Sequence, residues 1–72
     1  MSKPIQPLDA VALTEDLPEQ GLSRGQVGTV VESLAPYVFE VEFSDDEGRT
    51  YASLSLQADQ LMTLHYRPLG LA

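Results

Sequence analysis

The chain has no cysteine and no tryptophan, and only four of its 72 residues are Lys or Arg. Without cysteine there is no disulfide to supplement the core and no thiolate to hold a metal. The single histidine, His65, cannot by itself supply the three or four ligands that zinc takes. No apolar run approaches the ~18 residues of a membrane span, and Met1-Ser2-Lys3-Pro4 opens without the apolar stretch of a signal peptide. A soluble, cytoplasmic protein is expected, since a reducing compartment suits a chain without thiols. No glycine loop followed by Lys and Ser or Thr is present to cradle a phosphate.

The scarcity of basic residues is the strongest of these signals. Eleven Asp and Glu against four Lys and Arg leave a net charge of −7. Such a surface repels nucleic-acid phosphate, whose affinity rests on Lys and Arg displacing counterions, and it repels anionic lipid headgroups. It keeps a small domain soluble, and it complements a basic protein.

Seventy-two residues make one domain at most. With 43% apolar residues, the chain has enough for one layer of buried side chains, near the lower limit of independent folding. Residues 1–7 contain Pro4 and Pro7 and read as a lead-in. Residues 8–13 place Val11 and Leu13 on one face of a first strand. Pro7 and Pro18 leave little room for the rival helix. Residues 14–24, with Pro18 and Gly21, form a long polar loop.

The second strand is Gly25-Gln26-Val27-Gly28-Thr29-Val30-Val31-Glu32, in which β-branched residues dominate. Gly28 within it signals a bend, a bulge or a close backbone approach. Ala35-Pro36 breaks the pattern. Tyr37, Phe39, Val41 and Phe43 then alternate with Val38, Glu40 and Glu42, the period of a half-buried strand. Ser44-Asp45-Asp46-Glu47-Gly48 is a turn, with Gly48 suited to a left-handed position. Arg49 to Leu56 returns as the antiparallel partner, with Ala52, Leu54 and Leu56 inward. Residues 57–60 allow one helical turn, and Leu61-Met62-Thr63-Leu64 is a final short strand. Residues 66–72, with Pro68 and Gly70, read as a tail.

This order predicts an all-β fold: a small five-stranded SH3-like barrel spanning residues 8–65, with one short helical turn before the last strand. The expected core is Val11, Leu13, Val27, Val30 or Val31, Phe39, Val41, Phe43, Ala52, Leu54, Leu56 and Leu61.

Two stretches carry a resemblance. One runs from Asp9-Ala10-Val11-Ala12-Leu13 through Glu15-Asp16-Leu17-Pro18 and Gly21-Leu22 to Arg24-Gly25-Gln26-Val27-Gly28-Thr29-Val30-Val31. The other is Tyr37-Val38-Phe39-Glu40-Val41-Glu42-Phe43 with Asp46-Glu47-Gly48-Arg49-Thr50. Over residues 8–64 the chain resembles a family of small bacterial domains known as domain of unknown function 4926. That resemblance implies the barrel and brings no activity or site residues. The segment from Arg24 to Val31 is also similar to the glycine-containing strand of KOW-type SH3-like modules, which often bind RNA or a polymerase. Arg24 is the only basic residue there, and shared geometry does not carry function.

Catalysis finds little material. Nucleophilic chemistry needs a hydroxyl or thiol beside an oriented base, and His65 sits next to the tail. Asp45, Asp46 and Glu47 lack the alternating oxygen spacing of a calcium loop, and Arg49 offsets them. Glu40 and Glu42 share an outward strand face, where a cross-strand group such as Arg49 would pair with them. No cofactor is expected and no enzyme. The reading is a noncatalytic protein-interaction module for a basic protein, in one form an antitoxin or immunity-type partner. Its candidate binding residues are the loop acids Glu15, Asp16, Glu19, Asp45, Asp46 and Glu47 with the aromatics Tyr37 and Tyr51. The alternatives are a self-associating homodimer, built on an open strand edge or on Leu69 and Leu71, and a KOW-like RNA- or polymerase-binding module.

Overall fold

A computed structural model describes residues 4–65. The five expected strands are present as β1 (Ala10–Leu13), β2 (Val27–Ala35), β3 (Val38–Ser44), β4 (Thr50–Gln57) and β5 (Leu61–Thr63). One 3-10 turn, Pro18–Gln20, lies between β1 and β2, and a second, Ala58–Gln60, precedes β5. All five strands join one antiparallel sheet in the order β4-β3-β2-β1-β5. No helix among the described residues is long and apolar enough to cross a membrane.

A flat sheet with nothing stacked on it could not hide side chains completely. Here Val11, Val30, Val41 and Phe43 are fully buried, and no α-helix is present among the described residues to cover them. The sheet therefore curls over its own inner face. Leu56 of β4 and Leu61 of β5, from opposite edges of the sheet, join the same cluster. The sheet's hydrogen-bonded order is nonetheless open, with β4 and β5 as its edges among the described residues.

The core matches the alternation of Phe39, Val41, Phe43 and Leu56, with Ala52 and Leu54 packed partly against it. Of the second strand's two candidates, Val30 is buried and Val31 faces out. Val27, expected inside, is 48% exposed. The position that faces inward beside it is Gly28, which is buried. The bulges of β2 lie between Val30 and Glu32 and between Ser33 and Ala35, so the glycine marks close backbone approach instead.

Three further readings need correction. Ala35 ends β2, and Tyr37 is not a strand residue; it is the second residue of the two-residue turn Pro36-Tyr37, with φ of +66°. The side chain is 78% exposed and does not share the inner face with Phe39. Residues 14–24 are more than a polar loop: Leu17 and Leu22 exchange backbone hydrogen bonds of 2.9 and 3.1 Å, and Leu22 is buried in the core. In the lead-in, Ile5 packs against that core. All of β1 is buried, because it lies between β2 and β5; Ala12 sits between Val27 and Met62, and Ala10 beside Thr29. The tail of residues 66–72 lies outside the described residues.

The turn after β3 forms as expected, with Gly48 at φ of +82°. Asp45 organises it. Its Oδ1 accepts the backbone N–H groups of Glu47 and Arg49 at 2.9 and 3.0 Å, and its Oδ2 accepts the Arg49 Nε–H at 3.2 Å. The Arg49 N–H chiefly holds the Asp45 carboxyl below its ordinary range; partial desolvation opposes this, and the Glu47 N–H and the guanidinium add to it. A carboxyl lowered on folding stabilises the fold above its unfolded pKa of about 3.9, and that stabilisation disappears as pH falls through the lower folded value. Asp45→Asn should therefore lose less stability than the parent between neutral and acid pH. Denaturant midpoints at both pH values test this; identical losses would refute it.

Candidate functional site

Most candidate residues lie on loops that the sheet gathers at its ends, and the rest on its outer face. Asp16 is turned inward on its own loop, its Oδ1 accepting the Arg24 N–H at 2.8 Å. Glu15 leans toward the second 3-10 turn, its Oε2 accepting from Gln60 Nε2 at 3.2 Å. Thr14 reinforces that junction by donating its hydroxyl to the Asp59 carbonyl at 3.0 Å. Glu19 lies exposed in the first 3-10 turn. Asp45 and Glu47 both pair with Arg49, while Asp46 is exposed. The two ion pairs among the described residues are these, and both involve well-exposed groups, where such pairs contribute little stability.

Arg49 is therefore committed to its own turn and does not pair with Glu40 or Glu42. Those two carboxylates reach over β4 instead. Glu40 accepts from the hydroxyls of Ser53 at 2.5 Å and Ser55 at 3.3 Å, and Glu42 accepts from Thr50 at 3.5 Å. Among the described residues, no three His, Cys, Asp or Glu side chains converge as metal ligands would.

Sequence reasoning missed Glu32. The bulge after Val30 brings Glu32 opposite Glu40 in the β2–β3 register, so two carboxylates face each other across adjacent strands. Glu32, Glu40 and Glu42 thereby form an acidic band on the sheet's outer face. The residue alternation held no sign of it, because a bulge resets the period.

The two tyrosines separate. Tyr51 stands on β4 and its hydroxyl accepts from Gln26 Nε2 at 2.7 Å. Tyr37 lines an open groove of about 530 Å³ with Pro36, Val38, Gln57, Ala58 and Asp59. The Ala58 N–H donates to the Tyr37 carbonyl at 2.8 Å, which ties the groove's two walls together. A bulky residue held at positive φ is strained, and such strain concentrates at functional positions. The groove wall thus combines an exposed aromatic with the carboxylate of Asp59.

No curated protein and no solved structure matches the chain. The family model described as Domain of unknown function (DUF4926) matches residues 8–63, from just before β1 to the end of β5, and the chain belongs to that family.

Proposed function

We propose that this domain is a noncatalytic, cytoplasmic protein-interaction module that binds a basic protein through its acidic band and loops. The observation that carries this reading is the facing pair Glu32 and Glu40. Like charges directly opposite on neighbouring strands destabilise a sheet by a few tenths of a kcal/mol to about 1 kcal/mol. Arg49, the cation that makes ion pairs among the described residues, is engaged elsewhere. A Lys or Arg from a partner placed over the band would turn that repulsion into attraction. Glu19, Asp46 and Asp59 extend the acidic surface beyond the band, and Tyr37 offers an aromatic face to a guanidinium.

Glu32→Gln separates this reading from a merely solubilising surface. It should leave the fold as stable or slightly more stable, while weakening capture of a basic protein from lysate of the native cell. Capture by the parent should fall as salt is raised from about 0.1 M toward 1 M, where screening shortens the reach of charge from ~10 to ~3 Å. Unchanged capture by the variant, or capture indifferent to salt, would count against the proposal.

A further inference from the structure

The two edges of the sheet are unlike. β5 has three residues, Leu61–Thr63, and shortness protects an edge from unwanted pairing. β4 has eight, Thr50–Gln57, with the sequence TYASLSLQ. It holds no charge, no proline and no glycine, and among the described residues it is hydrogen-bonded along one side alone, by β3. Its one irregularity falls at the start, where the register shifts beside Phe43 and Ser44 and leaves Tyr51 unmatched. Ala52 to Gln57 is a regular, unguarded edge.

The phase of that edge follows from one bond. The Ala58 N–H donates to the Tyr37 carbonyl, and in an antiparallel ladder hydrogen-bonded pairs recur at every second residue. The bonded pairs are then Phe39 with Leu56, Val41 with Leu54 and Phe43 with Ala52, all partners in the observed register. The N–H and C=O groups of Ser53 and Ser55 consequently point away from β3, toward the open side.

We infer that an extended basic segment of a partner adds to β4 as a sixth, antiparallel strand. This inference rests on the proposed binding of a basic protein and specifies how it occurs. In an antiparallel addition, the residues bonded to Ser53 and Ser55 share their outer face. The Glu40 carboxylate already lies over β4, on the hydroxyls of both serines. A strand added ~4.8 Å beyond β4 brings Lys or Arg on that face within reach of it. The alternate residues of the added strand would lie on the inner side, beside the half-buried Ala52 and Leu54, where apolar side chains fit. The segment recognised therefore alternates basic and apolar residues. A second copy of this chain does not meet that description: its own β4 carries no cation, and pairing would bring together two acidic bands on chains of net charge −7.

The test uses the full chain and a short peptide of alternating lysine and valine, measured by calorimetry and amide exchange. Binding should slow exchange at Ser53 and Ser55. Methylating the lysine backbone nitrogens should abolish it, whereas methylating those of valine should not, because the lysine amides face β4. Ser55→Pro removes an outward donor without touching the β3 ladder and should weaken binding about tenfold, the equivalent of one lost hydrogen bond. Salt-sensitive binding that ignores both changes would overturn strand addition while leaving the acidic-surface reading intact. Failure of every lysine peptide to bind, with basic-protein capture absent as well, would overturn both. Ser53 and Ser55 amides already protected in the free protein would also overturn the inference, because the edge would then be occupied by the chain itself or by a second copy.

Discussion

Truncating Phe43 to alanine is expected to remove a large share of the domain's stability. Phe43 is the largest of the fully buried side chains, in the company of Leu13, Val11, Val30 and Val41. Removing a buried phenylalanine ring costs about 3–5 kcal/mol, part transfer free energy and part cavity. Domains hold roughly 0.05–0.15 kcal/mol of stability per residue, which for this chain is roughly 4–11 kcal/mol. The loss is thus a large share of the whole. Among the described residues no α-helix or second sheet lies over the core to settle into the gap. Phe43→Leu keeps most of the volume and should cost about 1.5 kcal/mol or less. Urea or thermal unfolding of the pair decides the matter: an alanine variant as stable as the leucine variant would mean that Phe43 is not the centre of the core.

Gly28→Ala is the second substitution expected to act strongly, and its sign is the informative part. Where the backbone tolerates it, alanine in place of glycine commonly stabilises by about 0.4–1 kcal/mol through the unfolded chain. At Gly28 a Cβ would come within 2.8 Å of Val41 Cγ1, 2.9 Å of the Glu42 carbonyl oxygen and 2.9 Å of Phe43 Cδ1. The side-chain atoms could shift, but the Glu42 oxygen belongs to the β2–β3 ladder and could yield only if the strands moved apart. Overpacking of this kind costs about 1–3 kcal/mol, enough to reverse the usual gain. Combining Gly28→Ala with Phe43→Leu should recover part of the loss, since two of the three contacts come from side chains and one of those from the ring. Strict additivity of the two substitutions in a double-mutant cycle would argue that the ring takes no part in the crowding, leaving it to Val41 Cγ1 and the Glu42 oxygen.

These two positions also mark where the fold was readable in the residues. Phe39, Val41 and Phe43 lie on one side of a strand with period two, and the hairpin they begin formed with its turn and its left-handed glycine in place. Gly28 was visible as an irregularity, yet the residues alone could not tell a bulge from a close approach. That distinction depends on what lies across the ladder, which is a tertiary matter. Val27 went astray for the same reason: its β-branched neighbours fit either face, and only pairing with β1 and β3 chooses. Leu22 and Ile5 were passed over because local breakers signal a loop, whereas a curled sheet with open ends recruits apolar side chains from whatever segment crosses them.

The acidic surface was legible as a quantity and not as an arrangement. Counting carboxylates pointed to a basic partner, and the loops were the natural places to look. In the folded chain Asp45 and Asp16 are occupied in holding their own loops, and Glu40 and Glu42 turn to hydroxyls on β4 rather than to Arg49. The band completed by Glu32 depends on a register shift, and the free side of β4 depends on strand order. Neither is a property of any short stretch of residues.

The pairing of β1 with β5 has a bearing beyond stability. Ala10 and Leu64 share a backbone hydrogen bond of 2.9 Å, so the chain enters and leaves the sheet side by side. A unit with that geometry behaves as a plug: it can be spliced into an exposed turn of another polypeptide without prising the turn open, as domains with neighbouring ends tolerate insertion. The entrance is shared by the first and last strands, while β4 stands at the opposite edge of the sheet.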